Sequence, residues 1–427
     1  MRSSIRSRAL AALAASALVA AGIAQAPSAI AAPPPPADHV VVIALDGFDF
    51  DYLDRAPMPN LRKLAKRGSL TASTGVMTSI TNPSWSSIAT GAWPETHGNT
   101  AYWFDEETGT ARGQQRDLQV PTIAQAIREQ GGTVMSSQWF IVQNYGVEFG
   151  DPEGLYTQPG GTCATRADDA IAVLNGQPVN SGGEMVNAAG IPDLVAVYCD
   201  TLDALGHADG DIAEGMPAAL AEVDAQIGRI VAATKSAGIY GRTAFVVTGD
   251  HGMGTFTQGM QPELLAAIDA AGYDAEVLTA GQAPAPSTDA VVVIGGVGSL
   301  HLVGDAAGDA EAASAIAGAV AALPHVAAVY DKDEQHAMHM SAKYGELVIE
   351  PEAGWTLGQT PADAAGVHGT TRELQVPLVI AGAGVRPHAV PDRPRHIDIA
   401  PTIAALLGYE GPVGADGRVL REAIRSR

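Results

Sequence analysis

Asp250-His251-Gly252 follows the apolar run Thr243 to Thr248 after a single glycine, which sets a carboxylate and an imidazole side by side at the mouth of a candidate strand. An apolar strand followed by a carboxylate recurs at Val40 to Leu45 before Asp46-Gly47, and at Leu194 to Tyr198 before Asp203, with Gly206-His207 close behind. Far downstream, Gly366-Val367-His368-Gly369 offers a third imidazole between glycines. Carboxylate oxygen and imidazole nitrogen together suit borderline divalent ions such as zinc. Thr81-Asn82-Pro83 supplies a hydroxyl that coordination would turn into a nucleophile. Three Asp, three His and one Thr in this pattern point to paired-ion phosphoryl chemistry.

Such residues act together only if the fold gathers them. From Val40 onward, apolar runs of strand length alternate with helical patterns, the signature of a parallel sheet with helices on both faces. Strands are expected at 40–45, 133–136, 194–198, 244–247 and 376–380. Helices are expected at 60–66, 84–90, 122–129, 217–233 and 399–407, several of them opening at Pro or closing before Gly. In open α/β sheets ligands sit beyond the carboxyl ends of the strands, and Asp46 and Asp250 both fall there.

Each residue also has an ordinary explanation. Asp46 and Asp250 suit turns and helix N-caps, Thr81 suits an N-cap before the helix expected at 84, and Asp203 competes with Asp200. The four-residue step from Asp203 to His207 puts both side chains on one face of a helical turn. His97 reads as a loop-stabilising residue, and His336 with His339 as solvated surface.

The whole chain narrows the setting. A net charge of -22 argues against non-specific binding to duplex nucleic acid or anionic membranes, so a phosphorylated substrate has to be drawn in locally. Arg2, Arg6 and Arg8 precede an Ala-rich apolar run and small residues, a secretory signal over 1–32 that leaves no stable membrane anchor once cleaved. A Pro-rich spacer at 33–37 follows. The catalytic α/β core is then expected over 38–260 and 342–427, interrupted at 261–341 by a small α+β cap. Cys163 and Cys199 are either a disulfide pair or two independent thiols.

The motifs Asp46-Gly47, Thr81-x-Pro83, Thr90-Gly91-x-x-Pro94-Glu95-x-His97-Gly98, Asp203-x-x-Gly206-His207, Asp250-His251-Gly252-Met253 and Gly366-x-His368-Gly369 occur in one order. In them the chain resembles the alkaline phosphatase superfamily, and within it the nucleotide pyrophosphatase/phosphodiesterase branch, from about Asp38 to Arg418. The resemblance implies an alkaline-phosphatase-like α/β sandwich around a mostly parallel sheet. It also implies two zinc ions, one held by Asp46, Thr81, Asp250 and His251, the other by Asp203, His207 and His368. This sequence departs from the family at two places: Ser84 stands where the nucleophile motif has Asn, and Tyr102 stands where a phosphate-binding Asn follows. Asn82, Asn99 and Tyr102 are therefore the candidate substrate donors.

The expected reaction has Thr81 attacking phosphorus and a phosphothreonine intermediate hydrolysed by water. Two dications against three carboxylates leave a small positive balance, which suits a diester monoanion better than a monoester dianion. A phosphodiester or pyrophosphate bond in a small nucleotide-like substrate is thus the first expectation. A phosphonoacetate hydrolase-like phosphonatase and a broad phosphomonoesterase are the alternatives within enzymes. A catalytically inactive exported metal-binding protein is the alternative outside them.

Overall fold

The computed structural model describes residues 34–425, so the expected leader at 1–32 lies outside the described residues. A seven-stranded sheet runs in the order Gly68–Thr74, Gln375–Gly382, Thr243–Thr248, His39–Leu45, Leu194–Cys199, Val134–Ser137, Gly154–Thr157. The five strands from Thr243–Thr248 to Gly154–Thr157 are mutually parallel, and Gln375–Gly382 is antiparallel to both of its neighbours. Apart from the half-buried His39, its central strands are buried throughout, as near-continuous Val/Ile/Ala runs require when helices cover both faces.

One face packs against helices Pro59–Ala65, Cys163–Leu174 and Met216–Ser236 through residues such as Ile43, Val197, Leu220 and Ile227. The other face packs against Thr81–Thr90, Ile123–Glu129 and Ile399–Leu407 through Val42, Ala196, Trp85 and Ile403. The alternating pattern expected from sequence is therefore a three-layer α/β sandwich. Helix Thr81–Thr90 starts three residues earlier than expected, which makes Thr81 its first residue.

A second, five-stranded sheet has the order Ala275–Leu278, Ala290–Gly295, Val297–Leu302, Leu347–Pro351, Val326–Tyr330. Helices Gln261–Ala270 and Ala310–Ala321 pack on it through Leu264, Ile268 and Ile316. Strand Leu347–Pro351 pairs with Val297–Leu302 and Val326–Tyr330 and so belongs to this sheet, beyond the expected edge of the cap at 341. At the other end, Ala37 is buried and its N–H donates to Leu406 O at 2.9 Å, which docks the end of the proline-rich stretch onto the core.

Candidate metal centre

Strand register aligns the acidic residues. Strand His39–Leu45 is central, pairing Ala44 with Thr248 on one side and Leu45 with Cys199 on the other. Asp46 and Asp250 therefore leave the sheet at one edge, with Asp203 on the helix Thr201–Asp209 that follows Cys199. Gly47 makes the approach close: its φ is +69°, and a Cβ there would lie 2.8 Å from Asp203 Cα. Asp203 and His207 share one helical face, with Asp203 Oδ1 3.4 Å from His207 Nε2.

His368 arrives by a separate route. Strand Gly254–Gly259, which follows the Asp250-His251 loop, pairs antiparallel with Ala365–Val367, setting Gly254 opposite Val367. A Cβ on Gly366 would lie 2.0 Å from Gly206 O, so only glycine lets this strand touch the helix carrying His207. The result places His368 Nε2 3.1 Å from His207 Nε2 and 3.6 Å from Asp203 Oδ1. His251 Nε2 lies 3.3 Å from Asp46 Oδ1, 3.2 Å from Asp250 Oδ2 and 3.2 Å from Thr81 Oγ1. The rings of His251 and His368 stack at 3.5 Å between the two groups.

All three imidazoles are oriented the same way. Nδ1 of His207, His251 and His368 faces the carbonyls of Gly366, Gly252 and Ser79 at 3.1, 2.9 and 2.9 Å. A carbonyl only accepts, so each Nδ1 carries the proton and each Nε2 is left as a lone-pair ligand, the usual support of a metal-binding histidine.

The carboxylates show the complementary feature. Asp46 Oδ1, Asp203 Oδ1 and Asp250 Oδ2 are buried oxygens without a hydrogen-bond partner, and isolated buried charge is costly. Burial pushes Asp203 up to about 9, with the charges of Asp46 and Asp200 adding to it, and pushes Asp46 up to about 6. Asp250 is raised by burial and then by Asp46, while burial lowers His251 and takes His368 down to about 3. Three crowded carboxylates facing neutral imidazole nitrogens form a donor set that dications would neutralise. Two overlapping groups, Asp46 with Asp250 and His251, and Asp203 with His251 and His368, each bring their ligand atoms within 4.8 Å of one another.

The three candidate substrate donors separate. Asn99 is fully buried, its Nδ2 donating to Ser86 Oγ at 2.7 Å and its Oδ1 accepting from Asp117 N at 3.1 Å, so it braces the loop and offers no free donor. Asn82 donates its Nδ2 to Gln115 O, and its backbone N–H meets Gln114 Oε1 at 3.3 Å. Tyr102 is half-buried in the left-handed region at φ 56°, with its ring against Gly295 of the second sheet. Burial and then the charge of Asp203 raise its phenol. His97, buried between Ser87 Oγ at 3.0 Å and Asn99 N at 3.1 Å, braces the same loop.

Several contributors carry no motif of their own. Ser79 Oγ donates to Thr370 O at 2.7 Å and accepts from Gly369 N at 3.0 Å, clamping the His368 loop. Asp49 Oδ2 accepts from Met253 N at 3.1 Å beyond His251. Cys163 and Cys199 form a disulfide. Of these, only the cysteines gave a sequence signal. A Ser or an Asp in a loop is too common to single out.

A mostly parallel sheet with a ring of Asp and His beyond the carboxyl ends of its central strands defines an α/β fold of the alkaline-phosphatase type. The family model described as type I phosphodiesterase / nucleotide pyrophosphatase matches residues 40–371, and the chain belongs to that family. The bis(5'-adenosyl)-triphosphatase enpp4 of Xenopus laevis is 27% identical over 237 residues, covering 50% of this chain and 47% of the relative. The mouse enpp4 protein is 25% identical over 267 residues, covering 57% and 53%. This chain thus spans about half the length of the curated relatives it matches. Among solved structures, human ectonucleotide pyrophosphatase / phosphodiesterase 5 superposes with TM-score 0.70 at 16% identity, covering 91% of this chain and 100% of that one. The murine protein, as an inactive threonine-to-alanine variant in complex with AMP, gives 0.67 at 19% identity, covering 88% and 96%.

Proposed function

We propose that this chain is an exported hydrolase of phosphodiester or pyrophosphate bonds that uses two zinc ions and Thr81 as its nucleophile. The observation that carries this reading is the convergence of three unpartnered carboxylate oxygens and three Nε2 atoms beside Thr81 Oγ1. Asp46, Thr81, Asp250 and His251 would hold one ion, and Asp203, His207 and His368 the other. When bound, the ions supply Lewis acidity and neutralise charge at both ends of an in-line displacement.

Thr81 opens helix Thr81–Thr90, so the positive end of the helix dipole favours an ionised Oγ1 and the anionic phosphoryl group. Having released its proton to solvent, Oγ1 forms a bond to phosphorus while the bond to the leaving oxygen breaks. Water then cleaves the Oγ1–phosphorus bond and returns a proton to Thr81. The AMP held by the murine neighbour favours a nucleotide as the phosphorylated substrate here. The charge of Asp203 felt by the Tyr102 phenol favours Tyr102 over Asn99 as the donor to it. Export is favoured by the Arg2, Arg6 and Arg8 leader and by the disulfide, which persists in oxidising compartments. Among the described residues no helix is long and apolar enough to cross a membrane. The second sheet and its helices form the proposed cap on the catalytic core.

The test compares bis(p-nitrophenyl) phosphate, p-nitrophenyl phosphate and phosphonoacetate with the wild-type chain and Thr81→Ala, with zinc content measured on both. The diester is expected to be turned over fastest, and Thr81→Ala to lose turnover while still holding zinc through the remaining ligands. Full turnover by Thr81→Ala would refute the nucleophile. Zinc bound without hydrolysis of any ester would favour a binding protein.

A further inference from the structure

The two oxygens of Asp46 have different surroundings. Oδ1 faces His251 Nε2 at 3.3 Å and receives no hydrogen bond, whereas Oδ2 accepts from the Tyr198 hydroxyl and, at 3.4 Å, from Trp85 Nε1. We propose that Tyr198, assisted by Trp85, is a positioning residue that turns Asp46 so that Oδ1 alone is presented as a metal ligand. This rests on reading the site as a metal centre.

The chemistry fits that role. A free carboxylate can rotate, or bind through both oxygens. A phenol and an indole are neutral donors that occupy one oxygen without competing for a cation. Tyr198 is only 7% exposed, so it is enclosed rather than offered to substrate. Its ring is gripped edge-on by Trp85 at 5.9 Å and Phe140 at 5.3 Å, and the Arg166 guanidinium lies over it at 5.5 Å.

The backbone on either side of the ring is fixed as well. Buried Arg166 donates Nη1 to Tyr198 O at 3.2 Å and pairs Nη2 with Asp200 Oδ2 at 2.8 Å. Cys199 between them accepts from Asp46 N at 2.8 Å, and its disulfide joins Cys163 at the start of the helix that carries Arg166. Tyr198 and Cys199 thus hold Asp46 by its side chain and by its main chain. A bulky filler would need only the ring. The aim of the hydroxyl and of the indole N–H at one oxygen is what a ligand-orienting pair requires.

The experiment titrates zinc into the metal-free wild type, Tyr198→Phe and Trp85→Phe, reading stoichiometry and dissociation constants by calorimetry, with circular dichroism on the metal-free chains. Tyr198→Phe is expected to keep the fold and one unchanged zinc site, and to bind the other ion about 10- to 100-fold more weakly. Excess zinc is expected to restore its diester turnover with KM unchanged. Trp85→Phe is expected to weaken the same site by less. Unchanged affinities in both variants, or a raised KM that zinc does not restore, would overturn the proposal. If Tyr198→Phe fails to fold, Trp85→Phe decides, and wild-type affinity there overturns it. Two zinc ions on the wild type separate failure of this inference from failure of the site reading, which absence of zinc would overturn.

Discussion

Ser79 accepts the Nδ1 proton of His368 through its carbonyl at 2.9 Å, two residues before Thr81. The segment that delivers the hydroxyl therefore also fixes the ring of a histidine 289 positions away. The Ser79 side chain adds bonds to Gly369 N and Thr370 O in a fully buried setting. Ser79→Ala removes the partner of both backbone groups, at a cost of about 1–3 kcal/mol each. The expected outcome is a lower denaturation midpoint together with weaker zinc binding, read by urea titration and calorimetry.

Chelation is expected to abolish diester hydrolysis and to lower Tm, because the unfolded chain does not assemble the site. Free zinc at about 1,000 times its dissociation constant stabilises by about 4 kcal/mol per site. A scanning-calorimetry Tm that ignores chelator would count against a metal centre at Asp46, Asp203 and Asp250.

Gly366→Ala is expected to separate the two halves of the site. A Cβ there meets Gly206 O at 2.0 Å and Met253 Sδ at 2.8 Å, so the strand carrying His368 must back away from the helix carrying His207. Turnover is expected to fall much more than stability. Activity at the wild-type level with an unchanged zinc dissociation constant would contradict this.

Reduction of Cys163–Cys199 opens a crosslink spanning 36 residues, which in the chain-entropy account is worth about 4 kcal/mol. A lower urea midpoint under reductant, absent in Cys163→Ala, is the outcome to look for.

Acid is expected to destabilise the fold around the second sheet through His301. Its Nε2 accepts from Phe104 N at 3.1 Å, and burial, with Lys332 nearby, lowers its pKa to about 3. The folded state favours the neutral ring, so this contribution is complete above the ordinary value of 6.5 and is lost as pH falls from there towards 3. By pH 5 the loss is about 2 kcal/mol. His301→Gln, which keeps an acceptor and does not titrate, is expected to show a shallower fall in stability between pH 7 and pH 5.

The sequence alone determined whatever depends on neighbours along the chain. An Asp within two residues of the end of an apolar strand is at the sheet edge because so short a step has nowhere else to go, which covers Asp46 and Asp250. Four residues of helix bring Asp203 and His207 to one face, and alternating apolar runs specify the α/β class. Tertiary structure decided what depends on pairing between distant segments. His368 meets His207 only because Ala365–Val367 pairs with Gly254–Gly259, and Leu347–Pro351 joins the second sheet by cross-strand hydrogen bonds that no local pattern encodes. Asn99 looked like a substrate donor but spends its amide inside the loop. Tyr198, an unremarked strand residue, turns its hydroxyl on Asp46. Side-chain direction and long-range register are set by packing of the whole core, so they became legible only when the chain was folded.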